Sequence, residues 1–327
     1  MSVDRVAPGD HSFGHEKQKP LPPPVFKPPP SPPGRDWTPA PMVRASCWLH
    51  AGAALGLAAH PPVWPWAIGT VLANHAALGI AGLLPRNRLL GPNLLRLPEE
   101  ARRRGEVALT FDDGPDPEVT PRVLELLEAH GASASFFLIG RRAARHPALA
   151  RELVRRGHSA ENHTDRHLKA FAALPFGAMR REVAAGQRAI ADASGEAPRF
   201  FRPPVGLRSP LLDPVLAGIG LAQVAWTRRG FDTVRREPAA IARRLGRGLA
   251  AGDILLLHDG NVARMRDDGR TPVVLEALPV LLRQIAASGL RAVSLPQAMP
   301  AATGPVAAGA GRGAGAALRA RASCASR

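Results

Sequence analysis

Val107-Ala108-Leu109-Thr110-Phe111-Asp112-Asp113-Gly114-Pro115 is the stretch whose reading decides the fold. The apolar run reads as a buried strand over 106–111, and Gly-Pro ends it in a turn. Two adjacent carboxylates at the mouth of a strand are electrostatically costly unless a cation sits beside them. About fifty residues on comes His163-Thr164-Asp165-Arg166-His167. One carboxylate and two imidazoles form a ligand set for a catalytic divalent metal with open positions. The second carboxylate is then free to act as a base. The i, i+4 spacing of His163 and His167 predicts one helical turn carrying both rings on one face.

Outward from that stretch, strands and amphipathic helices alternate. Predicted strands are 106–111, 134–139, 159–162, 199–202, 222–226, 254–258 and 292–295. Predicted helices are 119–130, 141–156, 178–194, 210–218, 238–250 and 272–288. Thr120-Pro121 and Thr271-Pro272 look like helix starts, and Gly131, Gly157 and Gly289 like stops. Seven strands alternating with six helices predict a parallel α/β arrangement, open or closed into a barrel. Barrel chemistry gathers at the C-terminal ends of strands, and the reactive residues fall there. Arg202-Pro203-Pro204-Val205-Gly206 is a stiff turn aiming an arginine, which after a buried strand pairs with a carboxylate. Trp226 is placed to wall a pocket and Asp232 to orient a histidine. His258 follows Leu255-Leu256-Leu257 and is placed for proton transfer.

These motifs together resemble the polysaccharide deacetylases of the NodB-homology type, carbohydrate esterase family 4. The resemblance runs from about Gly105 to Leu295 and includes five motifs in order. They are Thr-Phe-Asp-Asp-Gly at 110–114, His-Thr-x-x-His at 163–167, Arg-Pro-Pro-x-Gly at 202–206, Arg-Gly-x-Asp at 229–232 and Leu-x-His at 256–258. Two departures bear on the substrate subsite: Thr233 follows Asp232 where the family favours Trp, and Val205 stands where an aromatic is common. The resemblance implies a distorted (β/α)7-type barrel and removal of an N-linked acetyl group from an amino sugar in a polysaccharide or oligosaccharide. It implies that Asp113, His163 and His167 hold a divalent metal, zinc foremost, with cobalt, nickel or manganese as alternatives. Asp112 is then the base, paired with Arg202. His258 is the acid, oriented by Asp232. The backbone N–H of Val205 serves the oxyanion, and Leu256 lines the slot for the acetyl methyl.

Composition adds a frame around this domain. Twelve of the 34 prolines fall in residues 1–42, which predicts an extended, disordered arm. The Ala/Gly/Arg/Ser-rich tail, 301–327, is predicted to be disordered as well. The net charge is +16, but the arginines are scattered and no nucleic-acid-binding motif accompanies them, so no nucleic-acid partner is expected. Cys47 and Cys324 are not placed to staple a core.

From Ala45 to Pro85 there is no Asp, Glu, Lys or Arg over 41 residues. A bilayer crossing takes roughly 20. The expectation is a helical membrane hairpin at 46–62 and 66–84, or a single span at 63–84 with the earlier piece in the interface. A buried hairpin of a soluble domain is the alternative. A basic linker, 86–104, leads to the catalytic domain, 105–300. Basic flanks on both sides favour a hairpin with both ends in the cytoplasm. The expected location is the bacterial cytoplasmic (inner) membrane, with the catalytic domain peripheral to it and its side open. Membrane lipid is an expected partner, beside an N-acetylated glycan. Two other functions remain open: a deacylase or deformylase of a lipid-linked amino sugar at the inner leaflet, and a non-catalytic saccharide-binding protein.

Overall fold

The structure is a computed structural model that describes residues 33–260 and 271–299. Most of the Pro-rich arm, the tail and Cys324 lie outside the described residues.

Two helices come first. α1 (Pro41–Ala59) and α2 (Trp64–Leu83) are joined by a short 3₁₀ turn over Pro61–Val63. Pro61 and Pro62 end one helix and Pro65 opens the next, because proline at a first turn sacrifices no helical hydrogen bond. The helices pack on each other through polar contacts: Asn74 donates to the Ser46 hydroxyl at 2.8 Å, and the His50 and His75 Nε2 atoms lie 3.2 Å apart. Outward they show apolar surface, with Trp48 77% and Trp66 80% exposed. Pro61–Leu83 is the one segment among the described residues long and apolar enough to cross a membrane, with mean hydropathy 1.3. It overlaps the 63–84 segment by length and composition, and α1 packs against it at Ser46 and His50.

After α3 (Glu99–Arg103) comes β1 (Glu106–Asp112), buried on both faces. Then follow α4 (Thr120–Ala129), β2 (Ser135–Leu138), α5 (Gly140–Arg145), α6 (Pro147–Arg155), β3 (Ser159–Asn162) and α7 (Phe176–Ser194). The second half holds β4 (Phe200–Phe201), α8 (Leu212–Ile219), β5 (Ala222–Gln223), β6 (Arg228–Arg229) and α9 (Pro238–Gly246). It closes with β7 (Ile254–His258), α10 (Val273–Ala287), β8 (Arg291–Val293) and α11 (Leu295–Ala298). The helix expected over 141–156 is two, because Pro147 cannot continue α5 and opens α6 instead.

All strand pairs are parallel, in the order β5-β4-β3-β2-β1-β7-β6, and β8 pairs with the first half of β1. β5 and β6 do not pair, so the barrel is open there. The linker packs along that opening: Leu94 bridges to Val224, Leu97 N–H donates to the Gly252 carbonyl, and Arg96 pairs with Asp253. The expected seven strands are all present, and β6 is an addition.

Period-2 alternation along β1 sorts its side chains. Val107, Leu109 and Phe111 join the apolar layer between the sheet and helices α4 and α10. Ala108 joins the concave interior with Phe137, Phe200 and Ile254. Asp112 shares the parity of Ala108 and therefore stands at the top of that interior.

Candidate active site

The predicted residues lie at or beyond the ends of parallel strands, except Leu256, which is inside β7. Asp112 is the last residue of β1 and pairs in register with His258, the last of β7. Asp113 follows with a positive φ of 73°. Its carbonyl accepts a hydrogen bond from Arg142 on α5 at 2.8 Å, and Gly260 passes so close to that carbonyl that a side chain would not fit.

His163 and His167 do meet, but not on a helix. The expected helical turn is an irregular loop in which Thr164 (φ 66°) and His167 (φ 55°) are left-handed. Local side chains explain the turn. Asn162, held from β3, accepts the Thr164 N–H at 2.8 Å, and the Thr164 hydroxyl accepts the His167 N–H at 3.0 Å. Such side-chain bonds offer the backbone an alternative to helix. Gly186 on α7 makes room, since a β-carbon there would meet the Thr164 backbone at 2.7 Å.

The result is a compact donor set. His167 Nε2 lies 3.1 Å and His163 Nε2 3.4 Å from Asp113 Oδ1. Among the described residues, Asp113, His163 and His167 form the group of ligand atoms that lie within 4.8 Å of one another. The His163 Nδ1 lies 2.7 Å from the Arg202 carbonyl, which can only accept, so that nitrogen carries the hydrogen. In the neutral ring, Nε2 then turns its lone pair on the Asp113 carboxylate. Two acceptors in contact call for a positive charge between them. Without a cation, His163 supplies it as a proton: burial pushes its pKa down, but Asp112 and Asp113 outweigh that and raise it. Asp113 shows the complement. Burial pushes its carboxyl up, but His163 holds it well below the usual carboxylate range. The residues present therefore fit a divalent metal with one carboxylate and two imidazoles. The hydrogen bond from His163 to a backbone carbonyl is the outer contact that metal-binding histidines use to fix their tautomer.

Asp112 stands outside that set, 4.0 Å from His163 Nε2. Arg202 aims it from beneath, donating to Asp112 Oδ1 at 2.6 Å. The guanidinium also donates to the Thr110 hydroxyl and to the Val224 and Ala225 carbonyls. It lies 4.1 Å from the Phe137 ring centroid and is fully buried.

On the opposite side of Asp112 is the second predicted pair. Asp232 accepts from the His258 ring Nδ1 at 2.9 Å and from its backbone N–H at 2.7 Å. Burial pushes the imidazole pKa down, but Asp232, then Asp112 and Asp113, push it up to about 9.

Val205 occupies a left-handed position (φ 52°) in the turn after Arg202. Trp226 and Leu256 pack together with Ala225. Gly206, at φ 76°, is required by that wall, because a β-carbon there would stand 2.6 Å from Trp226 Cη2.

Three nearby residues were given no role from the sequence, although Arg229 opens the 229–232 motif. Arg142 braces Asp113. Asp259 accepts from the Thr120 hydroxyl at 2.6 Å behind the Asp113 segment, and burial pushes its carboxyl up to about 7. Arg229, in register with Leu256, stacks near Trp226 and Phe231 at 5.6 and 5.0 Å. The adjacency of Asp259 to His258 and the place of Arg229 at the head of the 229–232 motif were the available signals, whereas Arg142 was indistinguishable from other arginines.

Comparison with known proteins agrees with this geometry. The polysaccharide deacetylase family profile matches residues 99–224. The chain is 32% identical over 191 residues to a peptidoglycan-N-acetylglucosamine deacetylase of Bacillus cereus, covering 58% of this chain and 85% of that one. It is 38% identical over 168 residues to a chitooligosaccharide deacetylase of Sinorhizobium fredii, covering 51% and 78%. The chain belongs to the polysaccharide deacetylase family. Among solved structures, a family 4 carbohydrate esterase from Streptomyces lividans in complex with acetate superimposes with a TM-score of 0.52 at 34% identity, covering 57% of this chain and 91% of that one. A peptidoglycan N-acetylglucosamine deacetylase gives 0.57 at 27% identity, covering 63% and 91%. The chain is thus a hydrolase of the polysaccharide N-deacetylase type. The barrel is the family's parallel-stranded α/β fold.

Proposed function

We propose that this chain is a membrane-anchored deacetylase that hydrolyses the acetamide of an N-acetylated amino sugar, with zinc as its metal. The observation that carries this reading is the separation of Asp112 from Asp113. Adjacent in sequence, one is committed to the two histidines and the other to Arg202, beside a histidine held by its own carboxylate.

Asp113, His163 and His167 would hold a divalent cation, which when bound would supply Lewis-acid polarisation of the amide carbonyl. Asp112 takes a proton from the attacking water as its oxygen bonds to the carbonyl carbon. The backbone N–H of Val205 donates to the developing oxyanion. His258 gives its proton to the amine nitrogen as the carbon–nitrogen bond breaks, leaving acetate and a free amino sugar. Leu256 and Trp226 provide the apolar wall for the acetyl methyl. Residues 105–300 are the catalytic domain, and 45–85 anchor it at a bacterial cytoplasmic membrane.

The test is acetate release from N-acetylchitooligosaccharides by the full chain, after chelation and after readdition of zinc. Release that disappears on chelation and returns with zinc supports the assignment. Metal binding with no acetate from any N-acetylated sugar would return the protein to a saccharide-binding role.

The histidine–carboxylate pair sets a pH dependence. His258 acts as an acid, and its pKa of about 9 keeps it protonated through neutrality. The kcat/KM profile is therefore expected to hold to about pH 9 and fall above. Asp232→Asn removes the largest upward influence, so the alkaline limb should move down by roughly one to two units. The same shift is a stability term of fixed sign. It is fully present below the unfolded-state value of about 6.5 and is lost as pH rises through about 9. An unmoved alkaline limb in the Asn variant would dismiss His258 as the acid.

A further inference from the structure

The membrane helix does not merely tether the catalytic domain; its end forms part of the catalytic rim. Gly82, in the last turn of α2, is pressed against the Arg208 carbonyl and accepts the Arg208 N–H at 3.0 Å. Pro85, two residues past the helix, lies at Gly206: a β-carbon on that glycine would meet Pro85 Cβ at 3.1 Å and Trp226 at 2.6 Å. Arg86 donates to the Thr227 carbonyl at 3.0 Å. The chain before α1 is fixed to the same side, where Arg35 and Trp37 both bond Asp213 on α8.

Two residues of chain span at most about 7 Å. The polar layer on each side of a bilayer is about 5–8 Å deep. The wall formed by Gly206 and Trp226 is therefore held at headgroup depth. Exposed Leu83, Leu84, Leu89, Val205 and Leu211 continue the apolar surface of the helix onto this rim.

Arg229 stands on the same side. It shares a register position with Leu256 and stacks near Trp226. Its buried Nε finds no acceptor among the described residues. On the β2–β3 side, a cavity of about 300 Å³ is also rich in arginine. There, however, Arg141 and Arg166 already pair with Asp165 and Glu182, and Arg142 is engaged by the Asp113 carbonyl. Arg145 lines that cavity too, away from the end of α2. At that end Arg208 also keeps a buried Nε without an acceptor among the described residues, but its other two nitrogens donate to the Asn87 and Gly91 carbonyls. Arg229 is therefore the guanidinium on this side that donates to no protein acceptor among the described residues.

We infer that the substrate is an amino sugar held in the bilayer by a lipid phosphate, with Arg229 binding that phosphate while the acetamide reaches Asp112 and the metal ligands. This rests on the deacetylase reading and names its substrate class. A single phosphate between sugar and acyl chain puts the sugar at the depth where the rim lies.

Full-length protein in nanodiscs would be given three substrates: polyprenyl-phosphate-linked N-acetylglucosamine, soluble N-acetylglucosamine 1-phosphate and N-acetylchitotetraose. The lipid-linked sugar is expected to show a kcat/KM at least tenfold above both others. Arg229→Gln should lower the ratio of lipid-linked to chitotetraose kcat/KM at least tenfold, and Arg229→Lys should restore part of it. A preference for chitotetraose, or equal use of the soluble phosphate, overturns the membrane-held substrate. An unchanged ratio in Arg229→Gln overturns the phosphate contact. Acetate from none of the three would instead count against the deacetylase reading itself.

Discussion

Asp112→Asn is expected to lower kcat by about a thousandfold, the middle to upper range for losing a general base, with metal content unchanged. The carboxamide has nearly the shape of the carboxylate and can still accept from Arg202, whose NH1 lies 2.6 Å from Oδ1. What it lacks is a basic oxygen. The metal set should survive, because its atoms come from Asp113, His163 and His167. Acetate release and elemental metal analysis on the same preparation separate the two effects. Arg202 loses its counter-charge in this variant, so thermal unfolding must confirm that the assay temperature lies well below the transition. Near-normal turnover would remove Asp112 as the base. Loss of metal together with activity would instead put Asp112 among the ligands.

How much was legible beforehand depended on how local each signal was. β1 and β7 could be read to within a residue, because each is a continuous apolar run ended by a carboxylate or an imidazole. β3 was found despite its polar Ser-Ala-Glu-Asn composition, since the helix stop Gly157 precedes it and the His163 motif follows it. β6 was missed because it consists of Arg228 and Arg229 alone, and two residues carry no periodicity. The linker over 86–104 reads as a basic spacer, yet it packs along the opening between β5 and β6. Nothing local reveals that, because the opening exists only once the barrel has formed.

The site divides in the same way. The motif spacing identified Asp112, Asp113, His163, His167, Arg202, Asp232 and His258, and the fold brings them together. The spacing misled about how the histidines meet. An i, i+4 pair suggests a helix, but Asn162 and the Thr164 hydroxyl capture the N–H groups that a helix would need. The contact between Pro85 and Gly206 was invisible, because it joins residues more than a hundred positions apart that belong to no shared motif.

Arg202→Met should be the most destabilising single change at the site. Methionine keeps much of the volume and the contact with Phe137, so the loss is electrostatic rather than a cavity. Asp112 would be left buried without its cation, and Thr110, Val224 and Ala225 would each lose a donor. Breaking one side of a buried ion pair costs roughly 3–5 kcal/mol. For a domain of this size that is a fall in Tm of roughly 6–20 °C. Arg202→Lys keeps the charge on a single point and cannot reach all four acceptors, so it should fall between wild type and Met. A metal ion binds only the folded state and adds stability of its own, so the melting curves must be recorded for all three proteins at one saturating zinc concentration. A Tm change below about 2 °C in the Met variant would mean that Arg202 is neither the counter-ion of Asp112 nor the donor at the barrel centre. A full fall in Tm with metal content retained at low temperature would show that the ligand loop folds independently of the charge beneath it. The base and the metal set would then be two separately supported halves of one site, as their division between Arg202 and the 163–167 loop requires.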